Sequence, residues 1–114
     1  FERLVQRVRL EYPNRAIHFM VSFCRNKDIA QCAKAIFPIA TSIAIPRIGH
    51  YRLASPEYLL PYFERRQTRI DFPIPLLESY LPELERGDLL VICGSFFMMS
   101  SMREALGYLE PRDP

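Results

Sequence analysis

Two short polar runs carry the residue types from which a ligand site could be built. Arg25-Asn26-Lys27-Asp28 follows an apolar run over 16–24, and Gly94-Ser95 follows Leu89-Leu90-Val91-Ile92-Cys93. A glycine at a strand-to-helix corner lets the backbone come close to a ligand. The helix start beyond it offers free N–H groups and a positive dipole end. A serine hydroxyl there can add a hydrogen bond to a carboxylate or phosphate. In the first run, arginine can grip such an anion in bidentate fashion and lysine can meet it as a point charge. Each run also has a plainer reading: Ser95 as a helix N-cap, and Arg25–Asp28 as a solvated helix start with local ion pairs. The residues alone leave both open. They do exclude a Walker A loop, whose glycine spacing and Lys-Ser/Thr end are absent, and a G-x-S-x-G elbow, whose second glycine is missing.

The remaining reactive residue types give weaker signals. His18 lies mid-strand and reads as a hydrogen-bonded core or edge histidine, while His50 lies in a loop. The two are too far apart in sequence to suggest a metal site, and no metal site is expected in this chain. Met98, Met99 and Met102 read as core packing on the last helix. Cys24, Cys32 and Cys93 are odd in number and form no C-x-x-C pair. They read as small buried hydrophobes in a reducing compartment, the cytoplasm. The formal net charge is only +2, too small to imply nucleic acid by itself. Arg3, Arg7 and Arg9 are interleaved with Glu2 and Glu11, and Arg65, Arg66 and Arg69 form a short cluster; both read as solvated faces. No apolar run approaches the roughly 18 to 20 residues of a membrane span, and no signal peptide is visible. The expected partners therefore include neither nucleic acid nor membrane.

The elements that would position the two runs follow from periodicity. Phe1, Leu4, Val5, Val8 and Tyr12 recur at helical spacing, and Pro13-Asn14 ends that helix. Ala16–Cys24 is a short apolar run suited to a strand buried on both faces. A helix follows with Asn26 or Asp28 at its start, the stripe Ile29, Cys32, Ala33, Ile36 and Phe37, and Pro38 at its end. Ser42–Ile45 predicts a second strand. Ser55-Pro56-Glu57 predicts a helix start, with Tyr58, Leu59, Tyr62 and Phe63 on the buried side and an end at Arg65-Arg66. Arg69–Phe72 predicts a third strand. Leu76 to Leu84 predicts a helix interrupted at Pro82. Leu89–Cys93 reads as the most clearly buried strand, and Phe96–Leu106 as a last helix stopped by Gly107. A leading helix and four strand–helix units predict one α/β domain over 1–114, a Rossmann-like, open, mainly parallel sheet flanked by helices. Ligands of such sheets sit at the carboxyl ends of the strands, where both polar runs fall. The chain starts at Phe1 and directly in helical periodicity, so polypeptide upstream is expected.

At these positions the sequence resembles a known family. Ser22-Phe23-Cys24-Arg25-Asn26-Lys27-Asp28-Ile29 is similar to the Gly-Ala-x-Arg-Asp-Lys-Asp-Ile segment of folylpolyglutamate and dihydrofolate synthases. Arg52-Leu53-Ala54-Ser55-Pro56-Glu57-Tyr58-Leu59 resembles their Arg-Ala-x-x-Pro-Glu-x-Leu segment. Leu89 to Phe97 resembles their closing strand and turn, Val-x-Val-Thr-Gly-Ser-Leu-Tyr. The three stretches occur in the family's order across most of the chain. Ser22, Asn26 and Cys93 stand where the family has glycine, aspartate and threonine, and the Asp-x-Ala-His-Asn segment that opens the domain would lie just before Phe1. The resemblance implies the C-terminal, Rossmann-like domain of a Mur ligase superfamily enzyme. Such an enzyme adds L-glutamate to a folate or dihydropteroate carboxylate through an acyl phosphate. It further implies that Lys27 meets a glutamate carboxylate, that Ser95 with the backbone around Gly94 and Phe96 meets another glutamate oxygen, and that Arg25, Asp28 and Arg52 shape the cleft between domains. ATP and Mg would be bound mainly by an N-terminal P-loop domain, which this chain lacks. The chain alone is expected to be monomeric and inactive as a ligase or ATPase. Two other readings compete: a non-enzymatic α/β regulatory or interaction module, and another Mur-type amino-acid ligase domain.

Overall fold

A computed structural model of the chain describes residues 2–63 and 67–109. In chain order the elements are α1 (Glu2–Glu11), β1 (Ile17–Ser22), α2 (Ile29–Ile36), β2 (Ser42–Pro46), α3 (Pro56–Phe63), β3 (Gln67–Asp71), α4 (Pro73–Ser79), α5 (Leu81–Glu85), β4 (Leu89–Gly94) and α6 (Phe96–Leu109). The strands form one all-parallel sheet in the order β3-β2-β1-β4. From β1 the chain steps outward through β2 to β3, then returns to the far side of β1 as β4. That reversal places a topological switch point between β1 and β4, the position at which open α/β sheets form their crevice.

Strand alternation sorts the core into two layers. Ile17, Phe19 and Val21 of β1 pack with Ile43 and Ile45 of β2 against α1, α2 and α3. Met20 and Ala44 face the other way, onto Leu76, Leu77 and Tyr80 and onto Met98, Met102 and Ala105 of α6. The α/β class and parallel sheet expected from the sequence are thus the observed ones, and Met98 and Met102 are core residues.

Several local expectations need correction. Tyr58 and Tyr62 are exposed while Pro56, Leu59 and Phe63 carry the buried side of α3, three anchors in a helix of eight residues. The end expected at Arg65-Arg66 lies outside the described residues. The third strand begins at Gln67, and Phe72 leaves it to precede α4, because Pro73 at the first helical position favours a helix start over a strand end. The helix expected from Leu76 to Leu84 is two helices, α4 and α5. They meet at buried Tyr80, and Pro82 lies in the first turn of the second. Leu81 and Leu84 are consequently exposed. Gly107 does not stop α6, since a helical glycine costs only about 1 kcal/mol and forces no break.

The largest correction concerns β4. It is an edge strand with no strand neighbour on its outer side among the described residues, and only Cys93 in it is fully buried. Leu89 donates its N–H to Ala16 C=O at 2.9 Å and Ser95 donates to Ser22 C=O at 2.7 Å. Alternation therefore turns the N–H groups of Leu90 and Ile92 outward.

Candidate anion site at the sheet's carboxyl end

The switch point brings the two polar turns together. Asn26, Lys27, Gly94 and Ser95 line one cleft of about 530 Å³, floored by Leu4, Phe23, Cys93 and Phe97 together with Cys24. Arg25 and Arg52 line an adjoining cleft with Cys24, Asn26, Tyr51 and Phe97. Asp28 stands aside: its Oδ1 accepts the Gln31 N–H at 3.1 Å as the N-cap of α2, and it lines a separate groove shared with Lys27, Glu2 and Arg3. The side chain of Phe96 lies outside the described residues; its backbone opens α6.

The Gly94 turn has a firm physical requirement. Its φ is +123° and a Cβ there would lie 2.2 Å from the Ser22 carbonyl oxygen, so only glycine fits. The close approach brings β4's end onto β1 and aims Ser95 at the first turn. Ser95 is buried. Its Oγ accepts the Phe97 N–H at 3.1 Å and lies 3.6 Å from Cys24 Sγ. Its C=O accepts from Met98 and Met99. The capping reading of Ser95 is therefore realised, and the hydroxyl proton remains available to a ligand oxygen or to Cys24.

The first turn is held by backbone bonds. Lys27 N–H donates to Cys24 C=O at 3.1 Å, Arg25 N–H to Arg52 C=O at 3.3 Å, and Ala54 N–H to Phe23 C=O at 2.9 Å. Cys24 and Leu53 form an isolated antiparallel bridge. Arg7, Arg47, Arg69 and Arg86 each pair with a carboxylate. Arg25, Lys27 and Arg52 at the strand ends have no carboxylate partner among the described residues, as is also true of Arg3, Arg9, Arg15, Lys34 and Arg103 elsewhere. Three cations without an ion-pair partner thus stand close together at the strand ends, where an anion would be attracted.

The cysteines differ in access. Cys32 and Cys93 are buried and free, and burial raises both thiols, Cys93 to about 12. Cys24 is half-buried in the cleft, which corrects its expected place in the core. What could not be read from the sequence is that the loop carrying His50 and Tyr51 meets Phe97. The His50 ring stacks on Phe97 at 4.0 Å between centroids, a contact between residues 47 positions apart that no local pattern encodes.

His18 lies at the opposite end of the sheet and is hydrogen-bonded at both ring nitrogens, as expected of a core histidine. Nε2 meets Asp88 Oδ2 at 2.9 Å and Nδ1 meets Ser42 Oγ at 2.6 Å; Ser42 Oγ is 3.1 Å from Tyr80 Oη. An ionised Asp88 only accepts, so the neutral ring carries its proton on Nε2. Ser42 then donates to Nδ1 and Tyr80 to Ser42. Arg69 lies over the Tyr80 ring at 4.1 Å, donates to Ser79 C=O and pairs with Glu83. This Asp–His–Ser sequence of contacts has the residue types of a hydrolase triad, but Ser42 is only 1% exposed, out of a substrate's reach. It secures the fold.

No protein-family model matches the sequence, and no curated protein matches it. Among solved structures, the fold is similar to that of a Mycobacterium tuberculosis folylpolyglutamate synthase complexed with ADP and AMPPCP. That match has a TM-score of 0.75 and 20% identity and covers 99% of this chain and 27% of that one. A second structure of the M. tuberculosis synthase, complexed with ADP, gives 0.68 and 19% over 99% and 28%. Helicobacter pylori folylpolyglutamate synthetase gives 0.71 and 14% over 94% and 26%. At these identities the likeness establishes the fold. The chain spans about 27% of the length of the first of these enzymes.

Proposed function

We propose that the chain is the C-terminal domain of an ATP-dependent folylpolyglutamate or dihydrofolate synthase, and that its cleft binds the incoming L-glutamate. The observation that carries this reading is Lys27, without an ion-pair partner among the described residues, sharing one cleft with the Gly94-Ser95 turn, on a fold shared with folylpolyglutamate synthases. In this reading Lys27 Nζ takes one glutamate carboxylate. The Ser95 hydroxyl takes a second glutamate oxygen beside the start of α6, and Arg25 and Arg52 face the rest of the enzyme. The folate or dihydropteroate carboxylate, activated as an acyl phosphate, would be presented by a preceding P-loop domain. ATP and Mg would be bound mainly by that domain. What this domain contributes is orientation: it holds glutamate by its carboxylates so that a neutral amine faces the acyl carbon, and closure excludes water.

Cys24 supplies the test. Its thiol sits beside Ser95 in the cleft, while Cys32 and Cys93 are buried. L-Glutamate is expected to slow iodoacetamide alkylation of Cys24 in the 114-residue chain, with half-protection shifted at least about tenfold higher in Lys27→Ala, the loss of one charge-assisted hydrogen bond. Alkylation that is indifferent to glutamate in the native chain would sink the glutamate reading and favour a non-enzymatic module. Protection by a different amino acid would point to another Mur-type ligase.

A further inference from the structure

We infer that His50 is a positioning residue of this cleft, holding the Ser95 turn in place against the Cys24–Lys27 turn. The sheet itself stops short of that task. Its last link between the two walls is the Ser95 N–H to Ser22 C=O bond. Beyond it Cys24 Sγ of one wall lies 3.6 Å from Ser95 Oγ of the other, a weak sulfur contact.

The loop over 47–54 spans both walls. Toward the first turn it is fastened by backbone, through the Cys24–Leu53 bridge, Arg25 N–H to Arg52 C=O, and Ala54 N–H to Phe23 C=O. Toward α6 it reaches with a ring. His50 stacks on Phe97 at 4.0 Å and 26°, and the Phe97 N–H is the one that Ser95 Oγ accepts. The order of contact is therefore loop, His50, Phe97, Ser95. The imidazole is held from its own loop: Nδ1 accepts the Arg52 N–H at 3.2 Å, which puts the proton on Nε2, and the ring also stacks on Tyr51 at 4.9 Å. The backbone N–H of His50 donates to Ile48 C=O, and its C=O accepts from Leu53. Arg52 lies over Tyr51 at 5.6 Å and over Phe97 at 5.8 Å, so the adjoining cation depends on the same rings. A ring fixed at its base and pressed on the first turn of α6 sets the gap between the two walls.

Three substitutions separate the ring from its acceptor nitrogen. His50→Phe keeps the stack and loses the acceptor for Arg52 N–H, His50→Asn keeps an acceptor and loses the ring, and His50→Ala loses both. The readout is the Cys24 alkylation rate of the 114-residue chain with iodoacetamide, without ligand and across a glutamate titration. His50→Ala and His50→Asn are expected to alkylate Cys24 several-fold faster without ligand. They are expected to need about tenfold more glutamate for half-protection, equivalent to about 1.4 kcal/mol and of the size of one aromatic pair. His50→Phe is expected to stay near the native chain in both. Native rates in His50→Ala, or a Phe variant no better than Ala, would overturn the assignment. If His50→Ala does not fold, the Phe and Asn variants decide. The ligand rests on the glutamate reading: a native Cys24 that glutamate does not protect removes that reading, and the unliganded rates still judge His50.

Discussion

Asp88 is the residue at which solution pH meets the fold. Its carboxyl is held below the ordinary 3.8 by the hydrogen bond from His18 first and by Arg86 as well, against the opposing effect of burial. A carboxyl depressed in the folded state contributes stability that is fully present above the unfolded value of 3.8. That contribution is lost as pH falls through the lower folded value. Asp88→Asn should therefore be less stable than the native chain at pH 6, with the difference shrinking at pH 3; urea midpoints at the two pH values measure it. Glu83 is depressed by its bond from Arg69 and adds to the same acid sensitivity in the native chain. Its second oxygen is buried with no hydrogen-bond partner, so part of the Arg69 pairing is offset by an unsatisfied acceptor. His18 could be read from sequence as a satisfied core histidine because it sits in an apolar strand. Asp88, 70 residues away, could not be named as its partner, since only the return of β4 beside β1 brings them together.

At the scale of elements, two glycines with positive φ separate a packing requirement from a conformational one. Gly87, at +97°, has open space where a Cβ would go, whereas Gly94 has a carbonyl 2.2 Å away. Gly87→Ala should cost about 1 kcal/mol from backbone strain. Gly94→Ala should cost more than about 3 kcal/mol, because β4 must separate from β1 to admit the methyl group; thermal unfolding of the two variants compares them directly. The strands and most helices could be read from sequence because short apolar runs bounded by Pro, Gly and polar clusters leave few alternatives. The Gly94-Ser95 corner could be read for the same reason. The division at Tyr80 could not. Leu76, Leu77, Tyr80, Leu81 and Leu84 keep helical spacing through it, and only tertiary burial of Tyr80 decides which of them face inward. Nor could the edge position of β4, since an apolar run looks alike at the middle and at the rim of a parallel sheet.

Across the whole molecule, the two rims of the sheet are unlike. β3 presents Gln67, Thr68, Arg69 and Asp71, the charged and polar residues that discourage edge-to-edge pairing. β4 presents Leu-Leu-Val-Ile-Cys with no charge. In hydrogen exchange, the amides of Leu90 and Ile92 should exchange much faster than those of Leu89, Val91 and Cys93, which face β1. Protection of Leu90 and Ile92 that grows with protein concentration would instead report copies meeting along this rim. The strand order β3-β2-β1-β4 also has a meaning in time. During synthesis, β1, β2 and β3 leave the ribosome one after another and can pair as they come. The flank of β1 that β4 will occupy stays open until Leu89–Gly94 have been made. For that interval Lys27 has its own turn but no opposite wall, and His18 has Ser42 but not Asp88. The cleft thus forms only after β4 has been made, and a ribosome that stalls before Gly94 leaves the sheet without its second wall.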